Sequence, residues 1–159
     1  MRQLPDLGPR GEGWVLLQFA LLPLVVLAGV LAGDAWGGAL ASATALVGLG
    51  LMGVGALLVG RGLLDLGRNL TPVPAPRDDA QLVESGSYAS VRHPIYGGLI
   101  ATALGWSLVM ASPLALLLAL VLAGFFELKS RREEAWLRER YEGYPAYMER
   151  TRRFFPGIY

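Results

Sequence analysis

Stretches without a single charged side chain alternate with polar segments along the chain. Residues 14–32 and 37–60 are two such runs, each long enough, at about 1.5 Å per residue, to cross a hydrocarbon core of about 30 Å as a helix. Residues 95–126 are a third, divided by Ser112-Pro113 into runs of 17 and 13. One helix of that combined length overshoots a bilayer, so the pattern predicts a tight hairpin of two short, tilted helices. Residues 127–140 continue as a charged helix, with Lys129/Glu133 and Glu134/Arg138 as opposite charges four apart. In Glu133-Glu134 two adjacent carboxylates cannot both face solvent in the same way. The expected fold class is all-α and integral to a membrane, with about four transmembrane helices and a cytosolic C-terminal helix. Residues 1–60 form an N-terminal anchor of two helices; residues 61–159 form a core containing the hairpin 95–127 and a cytosolic tail.

The second run is rich in small residues, and Ala39/Ala43, Ala41/Ala45 and Ala56/Gly60 recur four apart. Such faces let helices approach closely in lipid and suit homo-oligomers. The same run holds Gly48, Gly50 and Gly53 as a literal GxGxxG, but no strand precedes it and no acidic residue follows at the nucleotide-binding distance. It reads as helix packing.

Composition sharpens the class. A hydrophobic content of 53% and a mean hydropathy of +0.44 are too apolar for an ordinary soluble domain of 159 residues. With no cysteine and one histidine, disulfides, thiolate metal sites and multi-histidine sites are excluded, and no metal is expected. The net charge of +1 gives no case for nucleic acid. All 14 basic residues lie in the N-terminus, in 61–93 or in the tail, and none in the loops 33–38 and 111–113. The positive-inside rule then puts both termini and the 61–93 loop in the cytoplasm. The arginine bias, with Lys129 as sole lysine, points to a GC-rich bacterial genome and hence a bacterial inner membrane.

The chemistry-bearing residues centre on 82–96, LVESGSYASVRHPIY. Pro94 suits the first turn of a helix, which places His93 at its N-cap beside Arg92. A cation, an imidazole and the positive end of a helix together suit an anionic or zwitterionic ligand at the membrane surface. Arg92 and His93 are the candidate catalytic pair. Before them, Pro72, Pro74 and Pro76 impose an extended strap. After the hairpin, Tyr141, Tyr144, Tyr147 and RRFFP form a basic-aromatic set typical of contact with membrane lipids.

LVESGSYASVRHPIYGG, followed after a hairpin by RREEAWLRERYEGYPAYMERTRRFFP, resembles the isoprenylcysteine carboxyl methyltransferase family and its bacterial members, which are related to phospholipid methyltransferases. The resemblance runs from about residue 67 to 156. It implies a membrane enzyme with a cytosolic cofactor pocket for S-adenosyl-L-methionine and a lipophilic small-molecule or lipid acceptor. By motif position the cofactor contacts fall on Gln81, Leu82, Val83, Tyr88, His93, Pro94, Ile95, Tyr96 and Glu133. Acceptor contacts fall on Lys129, where relatives can carry arginine, and Glu134. Lysine there keeps the charge but loses the bidentate fork. The alternatives are phospholipid N-methylation, a nicotinamide-dependent membrane reductase, and a non-enzymatic membrane scaffold or transport subunit. No ionisable residue lies in the middle of any apolar run, which argues against ion-coupled transport.

Overall fold

The computed structural model describes residues 5, 7–71, 73, 75 and 80–159. Helix α1 spans Glu12–Leu31, α2 Gly38–Leu66, α3 Pro94–Val109, α4 Pro113–Arg140 and α5 Tyr144–Arg150, with single 3-10 turns at Gly67–Asn69 and Gly86–Ala89. Among the described residues there is no strand, only an isolated parallel bridge between Val91 and Arg152. Among the described residues, three helices are long and apolar enough to cross a membrane: Glu12–Leu31, Gly38–Asn69 and Pro113–Arg140. The fourth apolar helix, α3, has 16 residues, about 24 Å at 1.5 Å per residue. It is the inner helix, packed on α1, α2 and α4.

The hairpin forms where Ser112-Pro113 predicts it. Pro94 and Pro113 each open a helix, where a missing N–H costs nothing. The Ser112 hydroxyl accepts from Ala115 N at 3.2 Å and donates to Ala28 O at 3.1 Å, so one buried side chain caps α4 and joins it to α1. The loop after α1 meets this corner through Asp34 N to Met110 O and Ala35 N to Ala111 O, both 3.0 Å. The two loops free of lysine and arginine therefore lie at one end of the bundle.

Helices α2 and α3 meet through glycines seven residues apart. A Cβ at Gly48 would fall 2.5 Å from Gly105 O, at Gly55 2.6 Å from Gly98 O, and at Gly62 2.7 Å from Ile95 Cγ1. Only hydrogen fits there; at Gly48 and Gly55 the backbones touch, and at Gly62 the Ile95 side chain fills the space. Gly50 and Gly53 face open space, so the GxGxxG string is one packing glycine and two bystanders. Ala39, Ala43 and Ala56, singled out by four-residue spacing, are exposed; the contact uses the seven-residue repeat instead. The polar stretch beginning at Arg61 starts inside α2, which continues through residue 60 to Leu66.

Candidate active site

At the end opposite the 34–111 corner, the chain brings α1, α2, the 80–92 loop, α3, α4 and α5 around one cavity of about 260 Å³, a size near the lower end of small-ligand pockets. The segment 90–93 is fixed by its pairing with the tail. Arg92 N donates to Arg152 O at 2.8 Å, His93 N to Arg153 O at 2.9 Å, and Arg152 N to Ser90 O at 2.9 Å. Gly97 leaves room for the Phe154 backbone to cross the first turn of α3.

His93 is the N-cap residue of α3, and its side chain makes no cap bond. Its buried ring stacks on Tyr96 at 5.3 Å, and Tyr96 stacks on Phe126 at 4.8 Å. Tyr96 Oη donates to Glu133 Oε2 at 2.8 Å, and His93 Nδ1 lies 3.9 Å from the same oxygen. His93 Nε2 is 3.4 Å from Glu134 Oε1 but outside hydrogen-bond geometry, so among the described residues this buried nitrogen makes no hydrogen bond. Lys129, only 1% exposed, donates to Gln18 Oε1 at 2.6 Å, with Nζ 5.1 Å from the centre of the Tyr96 ring.

The adjacent carboxylates both turn inward, to different partners. Glu133 reaches the cavity, whereas Glu134 is fully buried behind it. Glu134 accepts from Arg92 Nε at 2.9 Å and from Arg153 Nη2 at 2.9 Å, with Arg138 at 3.7 Å. Arg92 also donates through Nη1 to Thr151 O at 2.6 Å and Met148 O at 3.1 Å. A guanidinium satisfied in this way joins α4 and α5 to the motif.

Tyr88 is held from both sides. Asp65, at the end of α2, accepts from Ser87 N and Ser87 Oγ, both at 2.7 Å, while Tyr147 Oη donates to Tyr88 O at 2.7 Å. Gln81 N donates to Asn69 Oδ1 at 3.0 Å and Tyr141 Oη to Ala80 O at 2.7 Å, which lays residues 80–83 along the cavity. Burial pushes the phenols of Tyr88, Tyr144 and Tyr147 up, with Glu133 adding to the effect at Tyr88 and Glu134 at Tyr144. All three stay neutral donors at ordinary pH. The buried Tyr144 hydroxyl has no hydrogen-bond partner among the described residues.

Of the residues singled out from sequence, Gln81, Leu82, Val83, Tyr88, Arg92, His93, Ile95, Tyr96, Lys129 and Glu133 line the cavity; Pro94 and Glu134 do not. Pro72, Pro74 and Pro76 lie outside the described residues. Tyr144 and Tyr147, read as membrane-surface aromatics, are buried in the cavity wall because α5 folds back under the motif. Phe154 is likewise buried, and Arg153 pairs with Glu134 and Glu127 rather than with lipid. The motif gives no sign of Leu63, Leu66, Asn69, Leu70, Thr71 and Leu137 in the wall, nor of Gln18, although Gln18 is the one polar side chain in residues 14–32.

Residues 43–143 match the family model described as phospholipid methyltransferase. Over 92 residues the chain is 35% identical to protein-S-isoprenylcysteine O-methyltransferase of Schizosaccharomyces pombe, an alignment covering 56% of this chain and 39% of that relative. The aligned part is thus about two fifths of the relative's length. The family match begins within α2 and takes in the 82–96 motif, the hairpin and all of α4, leaving α1, α5 and the tail outside. With nearly two thirds of its length matched, and with the cavity built mainly from that part, the chain belongs to the phospholipid methyltransferase family.

Proposed function

We propose that this chain is an integral membrane methyltransferase that uses S-adenosyl-L-methionine to methylate the carboxylate of a lipophilic acceptor of the isoprenylcysteine type. The observation that carries this reading is the convergence, in one cavity of a methyltransferase-family chain, of Glu133, Tyr88, His93 and Lys129 beside the apolar ends of the membrane helices. The lining suits the cofactor's chemistry. Glu133 accepts hydrogen bonds from an ammonium or ribose hydroxyl, the partnerless Tyr144 hydroxyl donates one, and Leu82 and Val83 offer apolar surface to a base. When bound, the cofactor supplies the activated methyl group.

The protein's part is to orient and to exclude water. Lys129 holds the acceptor carboxylate, which is ionised at neutral pH and requires no base. His93, stacked on Tyr96, forms the floor between cofactor and acceptor. Arg92 acts at a distance by fixing the backbone of the motif. The hydrocarbon part of the acceptor enters between α1 and α2, which make no extensive contact with each other but contribute Gln18, Leu63 and Leu66 to the cavity. Four crossings, with the cavity and both termini cytoplasmic, complete the reading.

The family description favours a second acceptor class, an amine of a phospholipid headgroup. That chemistry requires a base, and Glu133 paired with Tyr96 is the group in place. Calorimetry of the detergent-purified chain with S-adenosylhomocysteine, beside His93→Ala and Glu133→Ala, tests the cofactor site: saturable binding lost in both variants is the expected result, and no binding by folded wild type refutes it. Product analysis with N-acetyl-S-farnesylcysteine against phosphatidylethanolamine separates O- from N-methylation.

A further inference from the structure

Helix α1 lies outside the family match, yet it forms part of the cavity wall. Trp14, Val25, Ala28 and Gly29 are its buried residues. Gln18 falls one turn beyond Trp14 on the same stripe, where the rest of the helix supplies apolar side chains. A primary amide set against apolar neighbours costs free energy unless it is bonded. Here its Oε1 accepts from Lys129 Nζ at 2.6 Å, across 111 positions of sequence, and both residues line the cavity. An amide oxygen can hold an ammonium without adding negative charge, whereas a carboxylate would hold it as firmly and cancel its charge. Glu133, one turn from Lys129, already brings a carboxylate to this wall.

We propose that Gln18 is a positioning residue that sets acceptor specificity, holding the Lys129 ammonium against the cavity wall with a neutral partner so that an anionic headgroup of a lipophilic acceptor is preferred over its neutral ester. This rests on the carboxylate reading of the acceptor given above.

The test measures binding of N-acetyl-S-farnesylcysteine and of its methyl ester to the full chain in lipid nanodiscs containing S-adenosylhomocysteine. Gln18→Glu replaces the hydrogen bond with an ion pair, so a merely structural contact is kept or strengthened. The expected result is an unchanged or raised unfolding temperature and unchanged S-adenosylhomocysteine affinity, with the Kd of the acid rising about tenfold and that of the ester unmoved. Gln18→Met fills similar volume without an acceptor and is expected to raise the acid's Kd severalfold, again sparing the ester. Wild-type preference for the acid in both variants, together with its loss in Lys129→Met, overturns the role of Gln18 and leaves the carboxylate reading standing. A wild-type chain that binds S-adenosylhomocysteine but does not prefer acid to ester overturns both.

Discussion

Among single residues, Glu134 has the most at stake. Its carboxylate is fully buried and is held by Arg92 from the motif and Arg153 from the tail. Removing one member of a buried, hydrogen-bonded charge cluster leaves the others desolvated and unpaired, at a cost of roughly 3–5 kcal/mol. Glu134→Ala should therefore lower the unfolding temperature in detergent by many degrees. Glu133→Gln, one position away, should leave that temperature within a degree or two and lose S-adenosylhomocysteine binding. If the two variants change places, the division of labour between these neighbours is wrong. The buried phenols give a pH expectation. Their folded values lie above the ordinary 10.0, so the stability they contribute is complete below about pH 10 and is lost as pH rises past it, where unfolded phenols ionise and folded ones do not. Unfolding temperature followed from pH 7 to 11 should show no fall from this source until pH 10, and a smaller fall in Tyr147→Phe.

For elements, the contact between α2 and α3 separates glycines that matter from glycines that do not. Gly55→Ala places a methyl group against the Gly98 carbonyl and should destabilise the bundle by more than 1 kcal/mol. Gly53→Ala, two positions earlier and facing open space, should be neutral or slightly stabilising, since alanine favours helix by up to about 1 kcal/mol. Thermal unfolding of the two variants in the same lipid reads the difference. The elements themselves were legible from the alternation of charge-free and polar segments, because hydrocarbon imposes length and polarity on a helix more strictly than water does. The hairpin at Ser112-Pro113 and the unbroken helix through Glu127 follow from that rule. Which glycines meet was not legible from spacing alone: contact depends on the partner, and Gly98 and Gly105 declare themselves only once α3 lies on α2. The same limit hid Tyr144 and Tyr147. An aromatic beside arginines looks like a surface anchor until a short helix such as α5 turns it under the motif. Spacing pairs Lys129 with Glu133, but periodicity does not say which face of a charged helix extension meets α1, and so it hid the contact with Gln18.

In the whole molecule, the loops 33–35 and 110–111 close one end and the cavity opens at the other. The chain contains no cysteine, so single cysteines report sidedness without background. Ala35→Cys and Glu142→Cys, both at exposed positions, should react with a membrane-impermeant maleimide from opposite sides of sealed vesicles. Labelling of both from one side contradicts the orientation. Deleting residues 151–159 should abolish S-adenosylhomocysteine binding, because Arg152 and Arg153 supply the backbone acceptors for Arg92 and His93.

That pairing also sets an order of assembly. Arg92 and Thr151 are 59 positions apart, and the α3–α4 hairpin lies between them. Closing so long a loop is slow while the chain is free; a hairpin already inserted in the bilayer brings its two ends together and removes most of the search. The cavity is accordingly expected to form late in biogenesis, after the hairpin is in the membrane. A chain stalled in water would have the motif without the geometry, and the cavity walls supplied by α4 and α5, with the pairing to the tail, would be missing from it.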